Sequence, residues 1–385
     1  MINVAIIGAG AISSSHIEGY LAFPGRCRIV AVTDINREKA ERQIARYHLD
    51  AAALDGVHAV LRGPGVDLAS VCTPPDTHAE IAVSLLKAGV HTLGEKPMAT
   101  SLQECDAILA AAQASGALLS IVAQNRFTTP MMRLKRVLDS GLAGRVLHAQ
   151  VDSHWWRGPS YYDLWWRGTW ESEGGGCTLN HAVHHIDALR WMAGMPVEVQ
   201  ALFGNLAHGN AEVEDLSVAI VRFGSGALGQ ITSSVVHHGQ DQQILFQTEK
   251  AKIGMPWDVY ASTQKANGFP ERDQAAEQAL TAYYEGLPAL TDEGHTGQIG
   301  NVLSALESGD GRVLVDGHEG RKTLEIITAV YKSAITGSRV ALPLVPDDPF
   351  CTREGLLAAA PHFHEKTASV TEFADNEITT TGRQR

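Results

Sequence analysis

INVAIIGAGAIS, residues 2–13, decides how the rest of the chain is read. Residues 2–7 form a short apolar run rich in β-branched side chains, and Gly8 follows at once. A run of that length ending in glycine has the pattern of a buried parallel strand. Gly8-Ala9-Gly10 then leads into residues 12–23, which read as a helix. Strand, glycine turn and helix in that order are the fingerprint of a dinucleotide site: one glycine makes the tight turn, the next lets backbone approach a pyrophosphate. The helix then offers its N-terminal amides and positive dipole end to that anion. The third fingerprint position, usually Gly or Ala, is Ser13, still small enough for helix–strand packing. RIVAVTD, residues 28–34, is the second strand and ends on Asp34, 24 positions past Gly10. An acid there can accept hydrogen bonds from the adenosine ribose and repels a 2′-phosphate, so NAD is favoured over NADP. The bland alternative is a nucleotide-free α/β sheet in which Asp34 merely starts a turn.

The alternation continues outward. Residues 36–47 read as a helix, 66–73 as the third strand, 77–88 as a helix, 90–97 as a strand, 102–115 as a helix and 117–125 as a strand. This spacing implies a Rossmann-type, doubly wound parallel sheet with right-handed crossovers. After Gly144 come longer alternating runs at 146–156, 197–205, 216–236 and 243–255, with Gly224-Ser225-Gly226 as a hairpin turn inside the third. They predict an α+β domain on a large, mostly antiparallel open sheet, one face covered by helices and the other left for a partner or solvent. A helix over 320–336, stopped by Gly337, closes it. The expected organisation is a nucleotide-binding domain over 1–125, a substrate and oligomerisation domain over 126–345, and an irregular polar arm over 346–385.

Bulk properties narrow the function. The chain has 385 residues, enough for two domains with large cores. A net charge of −12 argues against a nucleic-acid-binding surface, which needs a basic patch. No apolar stretch is long enough to span a membrane, and MINVAIIGAG lacks the features of a signal peptide. Cys27, Cys72, Cys105, Cys177 and Cys351 form no CxxC pair and are odd in number, which suits reduced thiols in the cytoplasm.

Two motifs stand at the carboxyl ends of expected strands, where ligands bind in such sheets. They are Thr73-Pro74-Pro75-Asp76-Thr77-His78 and Glu95-Lys96-Pro97. On residues alone, Lys96 is more readily a solvated surface lysine. Further on, GGGCTLNHAVHHIDALRW spans residues 174–191. On a helix over 178–192, Asn180, His184, Asp187 and Trp191 share one face, with His181 and His185 on the adjacent stripe. Three readings stay open. His181 and His185 have metal-ligand spacing, but no third ligand is evident. The histidines can be satisfied core residues. Or His184 can move protons, with Asp187 orienting it.

Taken together, GAGAIS, TPPDTHAEIA (73–82), GEKPMA (94–99), WRGTWESEGGG (166–176), the H-x-x-D of His184 and Asp187, and the closing segment 316–343 resemble the Gfo/Idh/MocA oxidoreductases. The resemblance covers roughly residues 3–343 and implies an NAD(P)-dependent enzyme acting on a secondary alcohol of a sugar, sugar derivative or cyclitol. It also implies a homo-oligomer, dimer or tetramer, assembled through the open sheet. Lys96 matches the family's catalytic lysine and His184 its catalytic histidine. The position four before that histidine is often Asp in inositol-dehydrogenase-like members and is Asn180 here; Asn neither relays a proton nor carries charge. Members with Asn there include some acting on nucleotide-linked or glycosidic sugars. The catalytic set is thus expected to be His184 as base, Lys96 beside the oxygen and Asn180 as orienter, with no metal. The cofactor is expected on Gly8, Gly10, Ala11, Ile12, Asp34, Thr73, Pro74, Pro75, His78, Glu95, Lys96, Gln124 and Arg167. The substrate is expected on Lys96, Arg126, Arg157, Tyr161, Trp166, Asn180, His181 and His184.

HWWRGPSYYDLWWRGTW, residues 154–170, holds five of the seven tryptophans and reads as a substrate wall, since aromatic faces stack on sugar C–H faces. Arg157 or Arg167 can meet a negative substrate group. For each residue singly, the alternative is a place in an aromatic core layer. Rival functions are a tightly held NAD recycled through a transient keto sugar, a non-catalytic NAD-sensing regulator, and a zinc hydrolase.

Overall fold

Apolar on both faces, the first strand must be buried between two layers of helices. In the computed structural model, which describes residues 1–63, 65–371 and 373, it lies at the centre of a six-stranded parallel sheet. The strands are β1 (Ile2–Ile7), β2 (Cys27–Thr33), β3 (Ala52–Leu54), β4 (Leu68–Val71), β5 (His91–Gly94) and β6 (Leu119–Ile121), in the order β3-β2-β1-β4-β5-β6. That order is the doubly wound one, with its switch point between β1 and β4. Helices α1 (Ser13–Leu21), α2 (Arg37–Arg46), α3 (Gly56–Arg62), α4 (His78–Lys87) and α5 (Leu102–Ser115) make the crossovers. Asn36 caps α2 through its side chain, and a Ser101–Glu104 capping box starts α5. The stretch before residue 66 reads as turns yet holds β3 and α3, so the strand expected third is the fourth. Three residues of edge strand are too few to show a period.

The second sheet has nine strands: β7 (Val146–His154), β8 (Pro196–Gly204), β9 (Leu216–Phe223), β10 (Leu228–Ser234), β11 (Gln242–Thr248), β12 (Ala251–Met255), β13 (Asp258–Gln264), β14 (Pro270–Arg272) and β15 (Val340–Ala341). Its order is β14-β13-β12-β11-β7-β10-β9-β8-β15, antiparallel throughout except for the parallel β7–β10 pair. Burial alternates along β9, with Ser217, Ala219, Val221 and Phe223 inside and Val218, Ile220 and Arg222 outside. Helices α6 (Thr129–Asp139), α7 (Trp170–Glu173), α8 (Cys177–Asn180), α9 (Val183–Ala193), α10 (Gln274–Gly286), α11 (Gly294–Ser308), α12 (Gly317–Thr336) and α13 (Arg353–Ala359) complete the chain. Leu324, Ile327 and Tyr331 of α12 join Ile186 of α9, Val199, Val221 and Ile231 in the core under the sheet. Ile299, Val302 and Leu303 of α11 instead join Val4, Ile6 and Ile17, so this late helix packs on the first sheet.

After α13 the tail runs without regular secondary structure to Val370, which bridges to Leu164. Residues 374–385 of the expected arm lie outside the described residues. Among the described residues no helix is long and apolar enough to cross a membrane. All five cysteines are buried and unpaired.

Candidate active site

The glycine loop closes over the carboxyl end of β1. Gly8 has φ +97°, and a Cβ there would lie 2.7 Å from the Cys72 carbonyl oxygen, so only glycine lets β1 and β4 come together at this turn. Gly10 faces open space, with no atom within 4 Å of where its Cβ would be. The Ala9 amide donates to Asp34 Oδ2 and the Asn36 amide to Oδ1, each at 2.8 Å, which fixes the carboxylate at the lip. Ile35 beside it is 98% exposed, an apolar shelf at the mouth. At the far end of the sheet, the buried Oε1 of Gln124 has no hydrogen-bond partner. A cradle open at Gly10, a fixed acid, an apolar shelf and an unsatisfied carboxamide fit an extended dinucleotide.

Lys96 follows β5 directly. Its Nζ pairs with no carboxylate among the described residues, and burial lowers its pKa, opposed by Glu95 and Glu173 and assisted by Arg167. Below it, Glu95 Oε1 meets His16 Nε2 at 2.9 Å and His295 Nε2 at 3.3 Å, while Oε2 accepts the Lys96 amide at 3.1 Å. His16 Nδ1 contacts Ser70 Oγ at 3.0 Å, which Tyr20 also meets. Burial opposes ionisation of Glu95, but hydrogen bonds from both histidines hold its carboxyl well below the usual range.

The triple glycine threads a tight gap. A Cβ on Gly176 would lie 1.9 Å from the Glu214 carbonyl oxygen. The Glu214 carboxylate accepts the Gly176 and Thr178 amides at 3.0 Å each and the Tyr331 hydroxyl at 3.0 Å, anchoring the start of α8. The helix expected over 178–192 is broken between α8 and α9: the His181 and Ala182 amides both donate to the Cys177 carbonyl, and α9 restarts at Val183. Asn180 turns Nδ2 onto the Gly175 carbonyl at 2.9 Å, and its Oδ1 accepts no hydrogen bond among the described residues. His184 stands in the first turn of α9 and lines one small cavity with Lys96, Val122 and Ala123. Burial first, then Lys96 and His185, hold its pKa well below 6.5, so the ring is neutral. Among the described residues it has no hydrogen-bond partner.

The wall after β7 sits beside this pair. Tyr161 carries Arg167 over its ring at 4.1 Å and Arg157 at 5.6 Å. Its hydroxyl accepts from Arg167 and lies 3.3 Å from His181 Nε2. Arg167 also lies over Trp166 at 4.3 Å, and 3.5 Å from the buried Glu173.

Residues 2–122 match the family model for the oxidoreductase family with an NAD-binding Rossmann fold, and residues 131–254 match the GFO/IDH/MocA C-terminal domain. The chain belongs to the Gfo/Idh/MocA oxidoreductases. It is similar to a myo-inositol 2-dehydrogenase of Thermotoga maritima, 24% identical over 86% of this chain and 96% of that one. A levoglucosan dehydrogenase of Pseudarthrobacter phenanthrenivorans is 25% identical over 89% and 94%. Among solved structures, the WlbA dehydrogenase of Bordetella pertussis, in complex with NADH and UDP-GlcNAcA, superimposes with a TM-score of 0.77 at 29% identity, covering 89% of this chain and 98% of that one. The protein is therefore an NAD(P)-linked oxidoreductase of the sugar and inositol dehydrogenase kind.

Within this Gfo/Idh/MocA site several expected roles change. Asp187 does not touch His184: Arg126 takes both its oxygens at 2.7 Å and Thr323 donates to it at 2.9 Å. Arg126, expected on the substrate, is 1% exposed and spends its remaining nitrogen on Glu319. His78, expected on the cofactor, is buried with its ring nitrogens 2.8 Å from the Thr73 and Pro97 carbonyls, so it clamps the TPP and EKP loops together. Glu95 is held by histidines. His181 and His185 join no metal-spaced group; among the described residues that geometry belongs to His16, Glu95 and His295. His295 lies in no spaced motif and is 200 positions from its partner, and Glu173, though inside WRGTWESEGGG, was given no role of its own.

Proposed function

We propose that this enzyme oxidises a secondary alcohol of a sugar, sugar derivative or cyclitol with NAD, or reduces the matching ketone, and that His184 takes the alcohol proton. The observation that carries the reading is the neutral His184 ring, without a hydrogen-bond partner among the described residues, lining the same cavity as the Lys96 ammonium. When bound, the dinucleotide contributes hydride acceptance at its nicotinamide ring. Hydride leaves the carbinol carbon only as the hydroxyl proton departs, and a neutral imidazole within reach is the base for it. The N-terminal turn of α9 and Lys96 both oppose an imidazolium, so His184 stays in its accepting form at neutral pH. Lys96 stabilises the developing alkoxide in a site screened from water. Asn180 presents Oδ1 to a neighbouring hydroxyl. Asp34 supports NAD over NADP, and the relatives' names support the carbohydrate class. The apolar outer face of the nine-stranded sheet supports a homo-oligomer, and the free thiols suit the cytoplasm.

The test is NADH absorbance on adding NAD with free sugars, inositols, glycosides and sugar acids, run in parallel on His184→Ala. We expect activity on one class, a loss of about 10²- to 10⁴-fold in kcat for the variant, and little turnover with NADP. An active His184→Ala would overturn the assignment. NAD retained through purification with no net NADH formed would favour the recycled-cofactor reading instead.

A further inference from the structure

The wall carries more positive charge than proton and hydride transfer use. Arg157 is half-buried, its guanidinium over the rings of Trp155 at 5.1 Å and Tyr161 at 5.6 Å. It donates to the Trp156 carbonyl and to Gln240 Oε1, at 2.7 and 2.9 Å, and also engages the Tyr161 hydroxyl. Among the described residues no carboxylate pairs with it. Its backbone is tied down on both sides, its amide donating to Val235 and its carbonyl accepting from His208 Nε2 at 3.0 Å. Arg167 lies across the same Tyr161 ring, and among the described residues Glu173 is the one carboxylate within 4 Å of it. Among the described residues the Lys96 Nζ pairs with no carboxylate either. Arg157 and Arg167 thus share the Tyr161 ring, whose hydroxyl lies 3.3 Å from His181 Nε2, and with Lys96 they add to burial in lowering the His181 pKa.

A guanidinium withdrawn from water with no counter-charge is costly, and it is kept where an anion completes it. The surrounding molecule makes the contrast sharper, since the chain as a whole carries −12. The fork of an arginine matches the two oxygens of a carboxylate or phosphate, and the Tyr161 and Trp155 rings hold that fork flat.

We propose that the substrate is an acidic carbohydrate whose carboxylate or phosphate is received by Arg157, at the edge of the Tyr161–Trp155 shelf, while its carbinol faces His184. This rests on the dehydrogenase reading above, and binding is therefore measured apart from turnover. The NADH-loaded protein is titrated calorimetrically with matched pairs: glucuronate and glucose, galacturonate and galactose, glucose 6-phosphate and glucose, UDP-glucuronate and UDP-glucose. We expect one acidic member to bind on the order of 100-fold tighter than its neutral partner, and Arg157→Gln to remove most of that preference. Arg157→Lys, which keeps the charge and loses the fork, should fall between. The uronate and phosphate arms distinguish the two anions. Acid-selective binding without NADH formation would sustain this proposal and count against the dehydrogenase reading alone. Acids that bind no tighter than their neutral partners, or a preference that Arg157→Gln leaves intact, would overturn it.

Discussion

Glu173 is 1% exposed, accepts the Gly168 amide at 2.6 Å and stands 3.5 Å from Arg167. Burial raises its pKa from 4.5 to about 7, against the pull of Arg167 and the Gly168 amide. The folded protein thus holds this proton more tightly than the unfolded chain does. Folding stability contributed here is full below about 4.5 and is lost as pH rises through about 7. Glutamine keeps the acceptor for Gly168 and removes the titration. We expect the stability of Glu173→Gln relative to wild type to improve between pH 5 and pH 8, by on the order of 3 kcal/mol from the size of the shift. Thermal melting across that range checks it; a difference that does not change with pH would count against it. At the same scale, Asp187 with Arg126 shows a buried pair serving structure: removing either partner strands a charge, at about 3–5 kcal/mol.

Among the elements, the tail after α13 does the least expected thing. It straps the substrate wall of its own chain. The Pro361 carbonyl accepts from Trp170 Nε1 at 2.9 Å, the Phe363 amide donates to the Glu212 carbonyl at 3.1 Å, and Lys366 reaches the Tyr162 carbonyl. Asn210 Oδ1 takes the Thr367 and Ala368 amides at 2.7 and 2.9 Å. Val370 pairs with Asp163 and Trp165 through two backbone bonds. The strap holds the short 3₁₀ turn Pro159–Asp163 and, through it, Tyr161. Deleting residues 361–385 should therefore raise KM by about tenfold or more, with a smaller loss in kcat, because positioning weakens before chemistry does. Steady-state kinetics on the active substrate class measure it; an unchanged KM would show that the wall stands unaided.

At the scale of the whole molecule, the nine-stranded sheet buries one face on α9 and α12 and leaves the other bare. Leu202 faces Val218 across β8 and β9, Ile220 follows two residues on, and Leu228 lies across from Arg222. Their exposures of 75%, 47%, 58% and 49% make an apolar patch on registered strands, of the kind that marks an interface. Ile220→Glu puts a charge at its centre, where no side chain below depends on it. We expect light scattering to give wild type a dimer or tetramer mass and the variant a lower one with an unchanged Tm for the subunit fold. A monomeric wild type would remove the proposed assembly.

Properties that are local in the chain were readable from the chain. Strand and helix periods, the Gly8–Gly10 turn, the hairpin at 224–226 and the acid ending β2 each arise within a few neighbouring residues, so sequence alone determined the fold class and where the glycine turn and Asp34 stand in it. Short elements such as β3 lacked enough residues to show a period, and the break between α8 and α9 was hidden because both halves keep helical spacing. Partners were not readable. Asp187 chose Arg126, 61 positions away, over the histidine one turn before it. Glu95 chose His16 and His295, 79 and 200 positions away. A side chain's partner is decided by which elements the sheet and its crossovers bring together, and only the tertiary structure, burying these charges in pairs, says which that is.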